Sequence, residues 1–272
     1  MVLIKKNSNI EIENKIIVLN NELKGFDIEK SGFSLYISFF GKNILFDLSI
    51  DDEVLQNSKK INLSLGDIDF IVLSHGHIDH TSGLAKLSFK PNTKLICHPL
   101  AFSKKFFGGQ EIGCPVPFEE LKNKFHILFS KKPFWILKDR IVFLGQIPRE
   151  KKFDQNLFPG RLSNGKVDYC LDDSAIVIKM DKGLLIITGC AHSGIENIVK
   201  YAREICSEER IFGIVGGLHS INKKRTDELL EFLEKENIKT VDFLHCADDY
   251  AVSKFEEKGY KKLNTLDNLY FD

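Results

Sequence analysis

Within the stretch FIVLSHGHIDHTSGL (70–84), four residues in six positions bring together three imidazoles and a carboxylate: His75, His77, Asp79 and His80. Imidazole nitrogens and carboxylate oxygens are the donors that hold Zn²⁺, Fe²⁺ or Mn²⁺. Left unliganded at the end of an apolar run, they would concentrate desolvated polar groups at a high cost. A metal centre is therefore the chemistry this window predicts. Four donors over so short a span strain a single ion, whereas two ions a few ångströms apart divide them naturally. The window is half of a centre, and the remaining donors must come from elsewhere in the chain.

Other histidines sit where apolar runs end. Cys190 and His192 lie in GCAH, His219 in GGLHS, and His245 with Cys246 follows TVDFL. His98, in CHPLAF, also follows a strand-like run and is a candidate substrate contact. Arg149 and Arg161, in a polar middle stretch, are candidate phosphate ligands.

These side chains need elements to position them. Phe70-Ile71-Val72-Leu73 reads as a buried strand, which puts the histidines at its C-terminal rim where loops present ligands. Further short β-type runs fall at 15–19, 34–40, 43–47 and 94–97, with a hairpin at Gly41-Lys42. Residues 101–117, with Gly108-Gly109, Gly113 and two prolines, predict an irregular loop or lid with short helical pieces. It reads as a lid or loop insertion near 101–120 of a single domain spanning 1–272. Strands return between 125 and 144, a loop-like stretch follows at 148–168, and more strands fall at 174–180 and 184–188. Ile195, Ile198, Val199, Ala202, Ile205 and Cys206 recur at helical spacing, so 194–207 predicts an amphipathic helix. Then come a strand (IFGIV), a helix over 222–236, a strand (TVDFL) and a helix over 250–258. The alternation implies two sheets flanked by helices, an αβ/βα layering.

Composition narrows the function. Hydrophobic residues make up 43% and charged residues 28%, with 38 basic against 38 acidic side chains and no net charge. Partners rich in phosphate normally demand a basic excess, so neither nucleic acid nor a membrane surface is expected. MVLIKKNSNIEIENK turns polar too soon for a signal peptide, and no run approaches the roughly 20 apolar residues of a spanning helix. A cytoplasmic protein is expected. The cysteines at 97, 114, 170, 190, 206 and 246 form no CxxC and are expected to be reduced, mostly small buried hydrophobes. Cys190 and Cys246 stand apart because histidines neighbour them. No Walker A, GxGxxG or GxSxG sequence offers a competing chemistry.

HGHIDH fits the HxHxDH signature of the metallo-β-lactamase superfamily, and GFSLYISFFGKNILFD is similar to that superfamily's opening hairpins. LSHGHIDHTSGL, CHPLAF, GQIPR, DDSAIVIKMDKGLLIITGCAHSGIENI, GGLHS and HCADDYA resemble the branch named for dihydropterin ribofuranosylaminobenzene phosphate synthase. The resemblance implies an α/β fold, an αβ/βα sandwich of two mixed sheets between helices. It implies a hydrolase or transferase using a metal-activated water on a phosphorylated or pterin-like small molecule. One or two divalent ions are implied, zinc foremost, with manganese or iron as alternatives.

Roles carry over residue by residue. His75 and His77 resemble ligands of a first ion, Asp79 and His80 ligands of a second. Cys190 stands where most members carry a bridging aspartate, so the bridge is either absent or a thiolate. Asp172-Asp173 stands where a third histidine is usual, making His192 the substitute at the first ion and His219 the ligand at the second. Asp47 supports the ligands from behind. Asp79 would orient the nucleophile and take its proton, and His245 would contact substrate or move a proton, with completion of the second site in place of His219 as its lesser option. An iron-binding redox or sensor protein on the same fold is the alternative, motivated by Cys190 and Cys246 beside histidines.

Overall fold

In the computed structural model, residues 13–22, 31–90, 93–150 and 160–272 are described. The strands are β1 (Asn14–Glu22), β2 (Gly32–Phe39), β3 (Lys42–Phe46), β4 (Phe70–Val72), β5 (Lys94–Cys97), β6 (Lys105–Phe107), β7 (Gln110–Glu111) and β8 (His126–Phe129). They continue as β9 (Phe134–Leu137), β10 (Ile141–Phe143), β11 (Arg161–Leu162), β12 (Ala175–Met180), β13 (Gly183–Thr188), β14 (Ile211–Gly217), β15 (Val241–Leu244), β16 (Lys261–Lys262) and β17 (Asn268–Phe271). The helices are α1 (Glu53–Lys60), α2 (Ile78–Thr81), α3 (Phe118–Lys124), α4 (Ile195–Cys206), α5 (Lys223–Lys235) and α6 (Asp249–Glu257). Two large mixed sheets run β17-β1-β2-β3-β4-β5-β8 and β16-β15-β14-β13-β12-β10-β9, and a small one runs β11-β6-β7.

Strand alternation sorts the core into layers, because successive side chains point to opposite faces. Along β13, Leu185 and Ile187 face the space between the sheets, where they meet Ile16, Val18, Leu35, Phe46 and Val72. Leu184 and Ile186 face outward and pack with Ile198, Val199 and Ala202 of α4 and with Leu229 and Leu233 of α5. The first sheet repeats the scheme: Ile17, Leu19, Leu45 and Ile71 turn outward to meet Val54 of α1 and Leu121 of α3. This is the αβ/βα layering expected. Each Leu or Ile so buried contributes roughly 1.5–3 kcal/mol, which holds the sheets face to face.

The β2–β3 turn carries positive φ at Phe40 and Gly41, the geometry that suits a tight hairpin. Helix α4 fills the predicted range 194–207, with Gly194 and Ser207 as its caps. Residues 101–117 differ from expectation. Beside a helical turn at Pro99–Phe102, they hold the β6–β7 pair, which joins β11 in its own small sheet. Short polar runs such as Gln110–Glu111 carry no periodic signal, so a sequence pattern cannot reveal them.

Strand direction positions the site. β3, β4, β5 and β8 are mutually parallel neighbours, and so are β13, β14 and β15. Parallel strands end on one rim, so Asp47, His75 and His98 emerge together from the first sheet. Cys190, His219 and His245 likewise emerge together from the second.

Candidate metal centre

Asp47 is the anchor of the first-sheet rim. It is fully buried, follows β3 with φ +58°, and accepts three hydrogen bonds. The Ser74 backbone N–H donates to Oδ1 at 2.7 Å, and the Ser74 hydroxyl donates to Oδ2 at 2.6 Å. His80 Nδ1 also donates to Oδ2, at 2.7 Å. Because the Ser74 proton goes to Asp47, the Ser74 oxygen accepts from His75 Nδ1 at 2.9 Å. One carboxylate thus puts the Nδ1 proton on both rings, so that Nε2 of His75, and of His80 once its second proton is displaced, offers a lone pair aimed inward. Ser74 was not foreseen as part of the site; its place directly before His75 was the available signal.

The lone pairs meet the other donors. His75 Nε2 lies 2.9 Å from His77 Nδ1 and 3.3 Å from His192 Nε2. His80 Nε2 lies 3.3 Å from Cys190 Sγ and 3.6 Å from Asp79 Oδ2, which is itself 3.1 Å from His245 Nε2. Among the described residues three trios could hold an ion, each with its donor atoms within 4.8 Å of one another: His75-Cys190-His192, His80-Cys190-His245 and His77-Cys170-His192. Cys190 belongs to two of them and so lies between the two halves of the centre. His192 sits beside His75 and His77. Of the two histidines open for the second group, His245 lies with His80 and Asp79, while His219 stacks against His192 with ring centroids 4.4 Å apart. Strand order explains it, since β14 lies next to β13 and delivers His219 beside the β13 loop.

Electrostatics divide the centre in the same way. Burial, reinforced by neighbouring imidazoles, holds His75 and His192 well below the ordinary histidine range. Burial also takes His77 down to about 4, with Asp79 opposing. Burial would lower His80 too, but Asp79 and Asp47 outweigh it and push His80 up to about 9. Asp79 is pushed up by burial, yet His80 and His245 hold it below the ordinary carboxylate range. One half therefore presents neutral lone pairs, and the other demands positive charge. Asp79 Oδ1 is buried and has no hydrogen-bond partner among the described residues. A divalent cation meets the first two conditions, so the donor set fits one.

Close backbone approach locks the arrangement. A Cβ on Gly189 would lie 2.1 Å from Ser74 Oγ and 2.9 Å from Asp47 Oδ2, so only glycine lets the second-sheet loop reach the first-sheet rim. A Cβ on Gly76 would lie 1.9 Å from the Ala101 carbonyl oxygen, which seats the 101–117 segment on the histidine loop. That segment also accepts the Ile78 N–H at the Ile112 carbonyl, 2.9 Å away. Its Lys105 is buried and bonds Asp172 Oδ1 at 2.8 Å, while Asp172 Oδ2 accepts the Gly76 N–H at 2.8 Å. Asp172 thus braces the histidine loop from behind. Asp173 does the same for the other loop, accepting the Ser193 N–H at 2.9 Å and the Ser193 hydroxyl.

The structure does not bring every candidate to the centre. Both His98 nitrogens are engaged internally, Nδ1 with the Leu100 N–H at 3.1 Å and Nε2 with Gln146 Oε1 at 3.2 Å. Arg149 donates to the Cys170 carbonyl at 2.6 Å, which places it at the margin. Arg161 is exposed and bonds the nearby Gly165 carbonyl at 3.2 Å. Cys170 was passed over as a buried hydrophobe, but its Sγ lies 3.8 Å from His77 Nε2. The signal available was its setting in DYCLDD, a thiol between carboxylates.

No helix among the described residues is long and apolar enough to cross a membrane. Comparison with known proteins completes the description. Residues 32–201 match the family model of the metallo-beta-lactamase superfamily. The chain is 31% identical over 248 residues to an uncharacterized protein of Methanocaldococcus jannaschii, covering 89% of this chain and 93% of that one. It is also 31% identical over 234 residues to the 7,8-dihydropterin-6-methyl-4-(beta-D-ribofuranosyl)-aminobenzene-5'-phosphate synthase of the same organism, covering 80% and 79%. A solved structure titled a metal-dependent hydrolase of the beta-lactamase superfamily superposes with a TM-score of 0.81 at 25% identity, covering 95% of this chain and 99% of that one. On its sequence match, its two mixed sheets and its rim of candidate metal ligands, the chain belongs to the metallo-β-lactamase superfamily.

Proposed function

We propose that this protein is a metal-dependent hydrolase or transferase acting on a phosphorylated or pterin-like small molecule, with zinc as its preferred ion. The observation that carries the reading is the convergence of His75, His77, His192, Cys190, His80, Asp79 and His245 at the rims of two sheets. When bound there, a divalent ion supplies Lewis acidity toward a substrate oxygen and makes water a competent nucleophile at neutral pH. The chain's own residues do the rest. Asp79 has one oxygen tied to His245 and the other, Oδ1, without a hydrogen bond, so it can orient a water and accept its proton at that atom. His245 holds Asp79 in place through the 3.1 Å contact of its Nε2 with Asp79 Oδ2. Phe33 packs against both His80 and His245, with centroids 5.5 and 5.7 Å away, and keeps bulk water from that side. Thiol donors weigh toward zinc over manganese. The synthase named above supports a pterin- or phosphate-bearing substrate, and the superposed hydrolase supports the reaction class. Free thiols suit the cytoplasm, and the balanced charge suits a small-molecule partner rather than nucleic acid.

The test is metal analysis of protein purified without chelator, followed by a panel of phosphomonoesters and phosphodiesters. Near-stoichiometric zinc with turnover that chelation abolishes and zinc restores supports the reading. Protein that takes up no divalent ion refutes it.

A further inference from the structure

We propose that Cys170 is a metal ligand: with His77 and His192, its thiolate forms a binding triad in the half of the centre that holds neither Asp79 nor His80. The inference rests on the metal-centre reading above and adds a donor that neither the signature motif nor the strand-end histidines announce.

The triad is geometric. Cys170 Sγ lies 3.8 Å from His77 Nε2, and the donor atoms of Cys170, His77 and His192 all lie within 4.8 Å of one another. The backbone is shaped to put the thiol there. Cys170 has φ +46°, in the left-handed region that a non-glycine residue enters only when its surroundings over-determine it. Those surroundings are on both sides of the residue. Its N–H donates to Asp168 Oδ1 at 2.8 Å, and its carbonyl accepts from Arg149 at 2.6 Å and from the Asp173 N–H at 3.0 Å. Tyr169 and Leu171 on either side are 44% and 39% exposed, while the thiol between them turns inward toward the imidazoles.

The neighbouring carboxylates are each tied elsewhere by at least one oxygen. Asp172 has one oxygen on Lys105 and the other on the Gly76 N–H. Asp168 faces Lys105 at 3.3 Å, and one oxygen of Asp173 is engaged by Ser193. Of the donors in this segment, the thiol is the one grouped with His77 and His192. Binding an ion would displace the thiol's proton to solvent and leave the thiolate as ligand. Cys170 then serves the His77–His192 side alone, while Cys190 is shared between the trio with His75 and His192 and the trio with His80 and His245.

Cobalt(II) titration of the chelator-stripped protein tests this directly, because thiolate ligation gives a sulfur-to-cobalt charge-transfer absorption that imidazole and carboxylate do not. Cys170→Ser is expected to lose one thiolate's share of that band and to weaken cobalt binding by about 10- to 100-fold or more. Cys114→Ser, outside the centre, should change neither. A Cys170→Ser protein with native circular dichroism and an unchanged band and affinity overturns the proposal while leaving the metal centre standing. A wild-type protein that binds no cobalt overturns both. A second measurement needs no variant: zinc should protect Cys170 from iodoacetamide, mapped by peptide mass, whereas the stripped protein is labelled. Equal labelling of Cys170 with and without zinc also overturns it.

Discussion

The two rims that form the centre are built on opposite plans. The first-sheet rim delivers His75, His77, Asp79 and His80 from one continuous loop and helical turn, with Asp47 setting the orientation of two rings at once. The second-sheet rim delivers one or two donors per strand end: Cys190 and His192 after β13, His219 after β14, and His245 after β15. Its loops enter the left-handed region at Ala191, His219 and His245, so here the placement is a property of each turn and not of a motif. The contiguous rim is therefore pre-oriented by hydrogen bonds within itself. The dispersed rim depends on sheet packing and on glycines such as Gly189 that admit close approach.

The largest expected effect comes from breaking the contiguous rim. His77→Ala removes a ring shared between His75, His192 and Cys170, and the protein should retain its fold but lose bound metal. Atomic absorption on the purified variant checks this; undiminished metal at native circular dichroism would contradict the assignment. Next is Lys105→Met, which leaves Asp172 ionised and buried without its cation. Breaking such a pair from one side costs about 3–5 kcal/mol. Because Asp172 also holds the Gly76 N–H, zinc affinity should fall along with the denaturation midpoint. A loss of stability with unchanged zinc affinity would separate the brace from the centre.

This contrast also explains what could be read in the sequence. The buried strands, the amphipathic α4 and the layering were legible because continuous apolar runs, as in AIVIKM and GLLIIT, and helical spacing are local patterns. The contiguous rim was legible for the same reason: its donors are neighbours in sequence. The dispersed rim was legible only as donor types at strand ends. That His245 rather than His219 faces Asp79 depends on which strand lies where in the sheet. Cys170 was illegible because its partner His77 lies 93 residues away and the approach is made by the 101–117 segment and the Asp172 brace. The strand Asn268–Phe271 went unread too, being short, half exposed and paired only with β1.

A smaller effect should follow from loosening the orientation without removing a ligand. Asp47→Asn keeps the shape but weakens the acceptor that fixes the tautomers of His80 and, through Ser74, His75. Orienting partners of metal-bound histidines are worth about 10- to 100-fold in metal affinity. Competition against a chromophoric chelator gives the number. A variant that matches wild type would show that packing alone sets the ring orientation on this rim.

The smallest effect is expected at His98, which shares the first-sheet rim but not the centre. Its Nδ1 caps the turn at Pro99–Phe102 and its Nε2 meets Gln146, so its chemistry is that of a structural cap. His98→Asn preserves a capping acceptor and gives up the longer reach to Gln146, a loss of about 1 kcal/mol. Urea denaturation should register that loss, while zinc content and the KM for any phosphoester the enzyme turns over stay unchanged. A raised KM at native stability would instead return His98 to the substrate. In that case the pre-oriented rim would extend one strand further than its hydrogen bonds indicate, and β5 would count as part of the catalytic edge.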